Sequence, residues 1–436
     1  MQDALKRVVL RKVAWRLLPF LFLLYVVNIL DRVNVGFARL QMLDDLQMGE
    51  RAYALGAGIF YIGYLIFEIP SNLILSRVGA RRWIGRILIS WGLITMATMA
   101  VRGPWSFYLL RISLGFAEAG FFPGIILYLT YWFPARERAK AVSLFMTGSP
   151  LTGIVGAPLS GGILQYLNQV GGLRGWQWLF LLEGIPAVVL GVIAMFYLTD
   201  RPERAHWLNE EERNWLSAQV RSEETYRQDR HGLTLWQVAI DRRVWILTLV
   251  YFAVAGGSNS LGFYLPKFMQ LGFPELAEFR IGLLVMIPSL CAVPCMVLNG
   301  MHSDWTGERR WHVAIPALIG AAGWGLAAVV RTPALYVFAF ALAQIGIMSV
   351  LPTFWSLPTA FLSGTAAAGG IALINSIGNL GGFFGPNLIG QLQAGTGGFS
   401  PGMLAVAATL VIGAVLALCV GDDDAKPAKS VDPHRV

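Results

Sequence analysis

The sequence predicts an all-α membrane protein of twelve transmembrane helices arranged as two six-helix pseudo-repeats. Three observations carry that expectation. Of the 436 residues, 56% are hydrophobic and 14% charged, where a soluble globular domain has roughly 25% charged residues. So much apolar surface exceeds what one soluble core can hold, and it has to face lipid or line a bundle inside lipid. Residues 332–421 contain no Asp, Glu, Lys, Arg or His, which leaves room for three crossings at about 20 residues each. Finally, one constant offset lays Gly79, Arg81 and Arg82 on Gly307, Arg309 and Arg310. The same offset lays Gly153, Pro158, Gly162, Leu164 and Gln165 on Gly381, Pro386, Gly390, Leu392 and Gln393. Six spans separate the copies, an even number, so the halves share an orientation and are related by an axis along the membrane normal.

The spans follow in order. Lys6, Arg7, Arg11, Lys12 and Arg16 lead into the first, near residues 17–40, which has full spanning length and no small-residue cleavage site, so it is expected to be retained. Five more apolar runs lie near 54–75, 84–101, 107–133, 141–167 and 176–199, and three near 244–268, 281–301 and 312–330. The last three divide near Gly364 and Gly395–Gly398. None of the runs alternates strictly over short segments, which favours helices over barrel strands. The link after the second span carries Arg77, Arg81, Arg82 and Arg86, and that after the fourth Arg136, Arg138 and Lys140; the excess of positive charge places these links, and with them both termini, in the cytoplasm. The alternate links are nearly bare, with Arg102 in one and Arg174 in another. The expected organisation is an N-terminal bundle over 1–199, a cytoplasmic linker over 200–243 with a short helix at "NEEERNWLSAQV", a C-terminal bundle over 244–421 and a polar tail over 422–436.

Other classes are poorly served. The net charge of +8 forms no basic face interleaved with aromatics, so nucleic acid is not an expected partner. Cys291, Cys295 and Cys419 all lie in apolar stretches and suggest no disulfide framework. His206, His231, His302, His312 and His434 are scattered over loops and ends, and neither an HExxH string nor a Cys cluster occurs, which argues against a metal site and against an enzyme. The expected partners are a small organic anion, a proton and the bilayer, with no cofactor beyond the coupling proton and a monomeric carrier.

The strings "LILSRVGARR" after the second span and "MHSDWTGERR" after the eighth combine a glycine turn with paired arginines: Gly79, Arg81 and Arg82 in one, Asp304, Gly307, Arg309 and Arg310 in the other. Arginines there can satisfy carbonyls at helix ends and form bonds that exist in only one state of a rocking bundle; simple topology signalling is the alternative. With twelve spans and the long central loop, the whole chain resembles the major facilitator superfamily, whose members carry this loop in both halves. Ser76 stands where an Asp is usual, which weakens a charge-based latch in the first half.

A charged side chain at a helix centre costs about 2.5–3.5 kcal/mol on insertion scales, so each one inside a span is a functional candidate. These are Asp31, Arg32, Glu68, Arg111, Glu118 and Glu183. Arg111 and Glu118 are two turns apart and share a face. Asp31 and Arg32 are neighbours diverging by roughly 100°, so one can face a central cavity and the other a neighbouring helix. Glu68 and Glu183, near span ends, read as capping or snorkelling groups. A buried ion pair between Asp31 and Arg111 is the structural alternative to coupling chemistry. Glu118, mid-span and with no cation beside it in sequence, is harder to explain as structure.

The strings "LDRVNVGFA", Tyr64 with "FEIPSN", and "RISLGFAEAGFFPG" look like the anion:cation symporter family within that superfamily, which includes bacterial carriers of sugar acids, tartrate and aromatic acids. The resemblance implies that Arg32 contacts the substrate carboxylate, that Asp31 and Glu118 are protonation sites, that Arg111 partners one of those carboxylates, and that the protein lies in a bacterial inner membrane. In the second half, Asn375 and Asn379 are four residues apart on one glycine-rich helix and can bind substrate hydroxyls or glue helices together. Ser258 and Asn259 in "AGGSNS", where a break of the seventh helix is expected, and Thr353 are weaker candidates. Tyr25 and Tyr64 are expected to line the pocket, and most Trp and Phe to face lipid. The expected activity is proton-coupled import of a sugar acid or tartrate-like hydroxy acid. An aromatic-acid symporter is the alternative, and a drug/proton antiporter, suggested by "GIVGAPLSGG", a more distant one.

Overall fold

The structure, a computed structural model, describes residues 2–146, 148–229, 235–362 and 364–420, which form helices and short turns without a strand. The expected tail over 422–436, His231 and His434 lie outside the described residues, as do the side chains of Arg136, Arg138 and Lys140. In chain order the helices are α1 (Gln2–Asp45), α2 (Glu50–Val78), α3 (Ala80–Ala97), α4 (Pro104–Glu118), α5 (Phe121–Thr130), α6 (Ala135–Met146), α7 (Gly148–Tyr166), α8 (Gly175–Tyr197), α9 (Glu210–Asp229) and α10 (Leu235–Ile240). They continue with α11 (Arg242–Gly272), α12 (Glu278–Thr306), α13 (Trp311–Val329), α14 (Pro333–Phe354), α15 (Ser356–Phe361), α16 (Gly364–Gly378), α17 (Gly381–Thr396) and α18 (Ser400–Leu418).

Ten helices among the described residues are long and apolar enough to cross a membrane. The fifth and eleventh expected spans are carried by the glycine-rich α7 and by α16 with α17. Prolines such as Pro70 and Pro186 lie inside spanning helices, which a membrane bundle tolerates because neighbouring groups satisfy the freed carbonyls.

The chain forms two compact units, Met1–Asp229 with Pro274–Met286, and Arg230–Phe273 with Ile287–Val436. In the first, α3 packs along α8 and α2 along α4, while α1 lies against α7 and α8. Its segment 274–286 is held by Gln41, whose amide donates to Glu278 Oε1 at 3.2 Å, and by Gln165, whose Oε1 accepts from the Phe279 backbone N–H at 3.1 Å. In the second, α13 packs against α14 and α18, and α11 against α16, α17 and α18. The α3/α8 and α13/α18 pairs occupy corresponding places in the two repeats.

Two expectations are corrected. The seventh span does not break at "AGGSNS": α11 runs unbroken from Arg242 to Gly272. The glycines there serve packing, since the α17 backbone comes so close that a Cβ on Gly385 would lie 2.5 Å from the Gly256 carbonyl oxygen. The aromatics are also less peripheral than expected. Trp91, Trp132 and Trp324 are fully enclosed, whereas Trp15, Trp105 and Trp305 are strongly exposed.

Candidate functional site

The first unit gathers most of its intramembrane charge around one stretch of α1. Asn28 and Arg32 are four residues apart and share a face, and that face meets α4. Asn28 Nδ2 donates to Glu118 Oε1 at 2.7 Å, and Arg32 Nε donates to the same oxygen at 2.5 Å. Glu118 is completely enclosed, whereas the Arg32 side chain keeps 19% of its surface open. The guanidinium carbon lies 5.5 Å from the Phe60 ring centre and 5.2 Å from that of Tyr64, both on α2, a cation–π arrangement on two aromatic faces. Glu118 Oε2 is buried and has no hydrogen-bond partner.

Local backbone features put Glu118 there. It is the last residue of α4, and the fourth span, expected as one run, is broken behind it: Gly120 has φ +84° before α5 begins. A side chain at that φ is strained, and a Cβ would also meet Ser71 Oγ at 2.3 Å. One turn earlier, Gly115 lets α4 touch α2, since a Cβ there would lie 2.1 Å from the Phe60 carbonyl oxygen. Gly115→Ala is therefore expected to force the helices apart and lower stability by about 1–3 kcal/mol, the range for overpacking. A drop in the thermal unfolding midpoint in detergent checks this, and an unchanged midpoint contradicts the close approach.

A second face of α1, roughly 100° round the helix, presents Asp31 and Asn34 to other helices. Asp31 is 1% exposed; its Oδ2 accepts from the Thr95 hydroxyl of α3 at 2.9 Å and its Oδ1 from Asn34 Nδ2 at 3.1 Å. The divergence expected between Asp31 and Arg32 is thus realised, with Asp31 against α3 and Arg32 against α4. The ion pair implied for Arg111 is not formed. Arg111, 2% exposed, donates from Nη2 to the Ala57 carbonyl at 3.2 Å and from Nε to that of Gly56 at 3.4 Å. The tight α2–α4 contact brings its guanidinium onto α2 carbonyls before it reaches a carboxylate. Snorkelling is also wrong for Glu183, which is 6% exposed and accepts from the Ser160 hydroxyl at 2.8 Å.

Tyr25 is buried against Phe122 and Phe145, and Tyr64 is buried beside Arg32. In the second unit, Asn379 Nδ2 donates to Asn375 Oδ1 at 3.2 Å, so the two amides do share a face. Asn259 Nδ2 donates to the Ala255 carbonyl of its own helix, and Ser258 is half-buried. Thr353 meets a residue that the sequence did not single out. Asn299 Nδ2 donates to the carbonyls of Ser349 at 2.9 Å and His312 at 3.0 Å and to Thr353 Oγ1 at 3.3 Å, tying α12, α13 and α14 together.

The two loops are built differently. Gly79 has φ +98° and Gly307 φ +69°. In the first loop Ser76 bonds only within its own helix, Arg81 is half-buried and Arg82 exposed. Its anchor is Asp200, whose Oδ1 accepts from the Arg81 backbone N–H at 2.8 Å, a carboxylate at the N-terminus of α3. In the second, Arg309 Nη1 donates to Asp304 at 2.6 Å and to the Ser303 hydroxyl at 3.0 Å. Arg310 Nη1 donates to the Val420 carbonyl at 3.0 Å, just beyond the end of α18. Neither Asp200 nor Asn299 could be recognised from sequence, because both act mainly on backbone groups brought close only by the fold.

Comparison with known proteins follows the same lines. Residues 21–386 match the family model described as Major Facilitator Superfamily. A protein of Agrobacterium vitis named as a tartrate transporter is 48% identical over 97% of this chain and 93% of its own length. A protein of Acinetobacter baumannii named as a quinolone resistance transporter is 40% identical over 94% of each. Among solved structures, a bacterial homologue of the human lysosomal transporter Spinster superposes with a TM-score of 0.76, covering 96% of this chain and 99% of its own, at 16% identity.

Proposed function

The chain belongs to the major facilitator superfamily, and from that premise we propose that it is a proton-coupled symporter of the bacterial inner membrane, both termini cytoplasmic, importing a small hydroxylated organic anion by alternating access. A tartrate-like hydroxy acid or a sugar acid is the favoured substrate. The observation that carries the reading is the sharing of one cation. Arg32 holds Glu118 through Nε alone while part of its surface stays open, so a substrate carboxylate can take the guanidinium bidentately. With Glu118 ionised, the cation already has its counter-ion. A proton on Glu118, whose Oε2 is without a partner, removes that competition, and the substrate carboxylate replaces the protein carboxylate beside Arg32. Proton and anion therefore load together, which is the requirement for symport.

Asp31 is a second candidate for the coupling proton, and Arg111 a staple that keeps α4 in register with α2. Tyr25 and Tyr64 would wall the pocket, while Asn375, Asn379, Ser258, Asn259 and Thr353 would supply neutral groups for hydroxyls. The loops with Arg81, Arg82, Arg309 and Arg310 would change contacts between states. Similarity to the Agrobacterium protein supports the substrate class; similarity to the quinolone resistance protein favours drug export as the second reading.

Uptake by proteoliposomes separates these readings. With an alkaline interior, labelled tartrate or a sugar acid is expected to accumulate and aromatic acids to compete weakly. Gradient-driven movement of a quinolone with no uptake of any organic acid contradicts symport.

A further inference from the structure

The loop between α12 and α13 brings together two histidines that the substrate site does not use. His302 Nδ1, near the end of α12, lies 2.6 Å from His312 Nε2, in the first turn of α13. On the other side of that ring, His312 Nδ1 lies 3.0 Å from Glu308 Oε2. An ionised carboxylate only accepts, so the hydrogen there belongs to His312 Nδ1. Burial pushes the Glu308 carboxyl up, but hydrogen bonds from the Trp311 backbone N–H and from His312 outweigh it and hold it below the usual range. At 2.6 Å only one hydrogen fits between the two rings. With the pair neutral, it sits on His302 Nδ1 and points at the His312 lone pair. One added proton leaves this contact intact, because it goes to the outer nitrogen of His302, which is exposed. A second sets N–H against N–H and two cations side by side, and the contact is lost.

The surrounding groups leave the pair in control of this contact. Asp304 of α12 is paired with Arg309 at 2.6 Å, and Arg310 donates to the Val420 carbonyl. The helices α14 and α18, which pack on α13, hold no Asp, Glu, Lys, Arg or His. What α14 offers is neutral, the Ser349 carbonyl and the Thr353 hydroxyl, both bonded by Asn299 of α12.

We propose that His302 and His312 form a pH-sensitive clasp between α12 and α13, closed while the pair holds at most one added proton and open when it holds two. The clasp is therefore present at high pH and lost as pH falls through the range in which imidazoles charge, about pH 8 to 5. Arg309 and Arg310 stand on the same loop, so opening it weakens their contacts to Asp304 and Val420 and shifts the balance between the carrier's states. In the proposed orientation this loop is cytoplasmic, where protons imported with substrate would reach it.

Backbone hydrogen exchange of the purified full-length carrier, read by mass spectrometry across the same pH range, tests the clasp without any substrate. In the wild type, amides over 303–314 are expected to lose protection roughly two- to tenfold beyond the intrinsic pH dependence of exchange, as the loss of one hydrogen bond of about 0.5–1.5 kcal/mol gives. His302→Asn puts a neutral amide near the Nδ1 position, able to donate or accept, so protection is expected to stay constant. Constant protection in the wild type, or the same loss in His302→Asn, overturns the proposal. Should that variant fail to fold, His312→Gln, whose neutral amide extends toward His302, decides by the same comparison. Failure of proton-coupled uptake would sink the symport reading alone, because this readout involves no transport.

Discussion

Replacing Arg32 by lysine is expected to weaken binding of the proposed organic anion roughly a hundredfold, and replacing it by alanine at least as much. In the proposed cycle the guanidinium serves two carboxylates in turn: its Nε holds Glu118 at 2.5 Å, and its side chain, 19% open, takes the substrate carboxylate once Glu118 is protonated. An ammonium is a point charge that cannot take a carboxylate bidentately, nor offer a planar group to the faces of Phe60 and Tyr64. Hydrogen bonds to charged groups contribute about 1.5–3 kcal/mol each, so losing the bidentate contact weakens binding by roughly a hundredfold, at 1.4 kcal/mol per decade. Equilibrium binding in detergent measures it. Wild-type affinity in Arg32→Lys contradicts the clamp, and binding by Arg32→Ala places the anion site elsewhere.

Glu118→Gln separates exchange from accumulation. The amide oxygen still accepts from Asn28 and Arg32, so the helix contact persists, but the side chain no longer takes up or releases a proton. Labelled substrate is expected to exchange across the membrane while accumulation driven by a pH gradient disappears. A purely structural role predicts something else. Removing the negative partner of a buried pair destabilises by about 3–5 kcal/mol, somewhat less here because Arg32 is partly open, and would deplete folded protein. Counterflow and gradient-driven uptake measured on one preparation distinguish the outcomes; survival of both removes Glu118 from coupling.

The residues of this site were legible in the sequence because charge inside a span is costly and therefore conspicuous. Asp31, Arg32, Arg111 and Glu118 could be picked out on that ground alone, and the fold followed from apolar runs and one repeated offset. Their partners were not legible. Arg32 meets Glu118 across 86 positions, and that meeting depends on the α2–α4 contact at Gly115 and the turn at Gly120, which the apolar pattern of the fourth span does not reveal. The same contact diverts Arg111 to backbone carbonyls. Glycines misled in the other direction at "AGGSNS", where they were expected to break a helix and instead let α17 approach an unbroken α11. Glu183 reads in the sequence as a capping or snorkelling group because its distance from a span end is visible there, whereas its burial and its bond to Ser160 are not.

In the proposed cycle anion and proton load together because both act on Arg32, one by binding it and the other by releasing it from Glu118. Calorimetric titration of the purified carrier with tartrate, in two buffers of different ionisation enthalpy, reads the protons taken up with each anion. The wild type is expected to take up protons on binding, and Glu118→Gln to take up fewer. Binding heats that are independent of the buffer in the wild type, or the same proton uptake in both proteins, would contradict the claim.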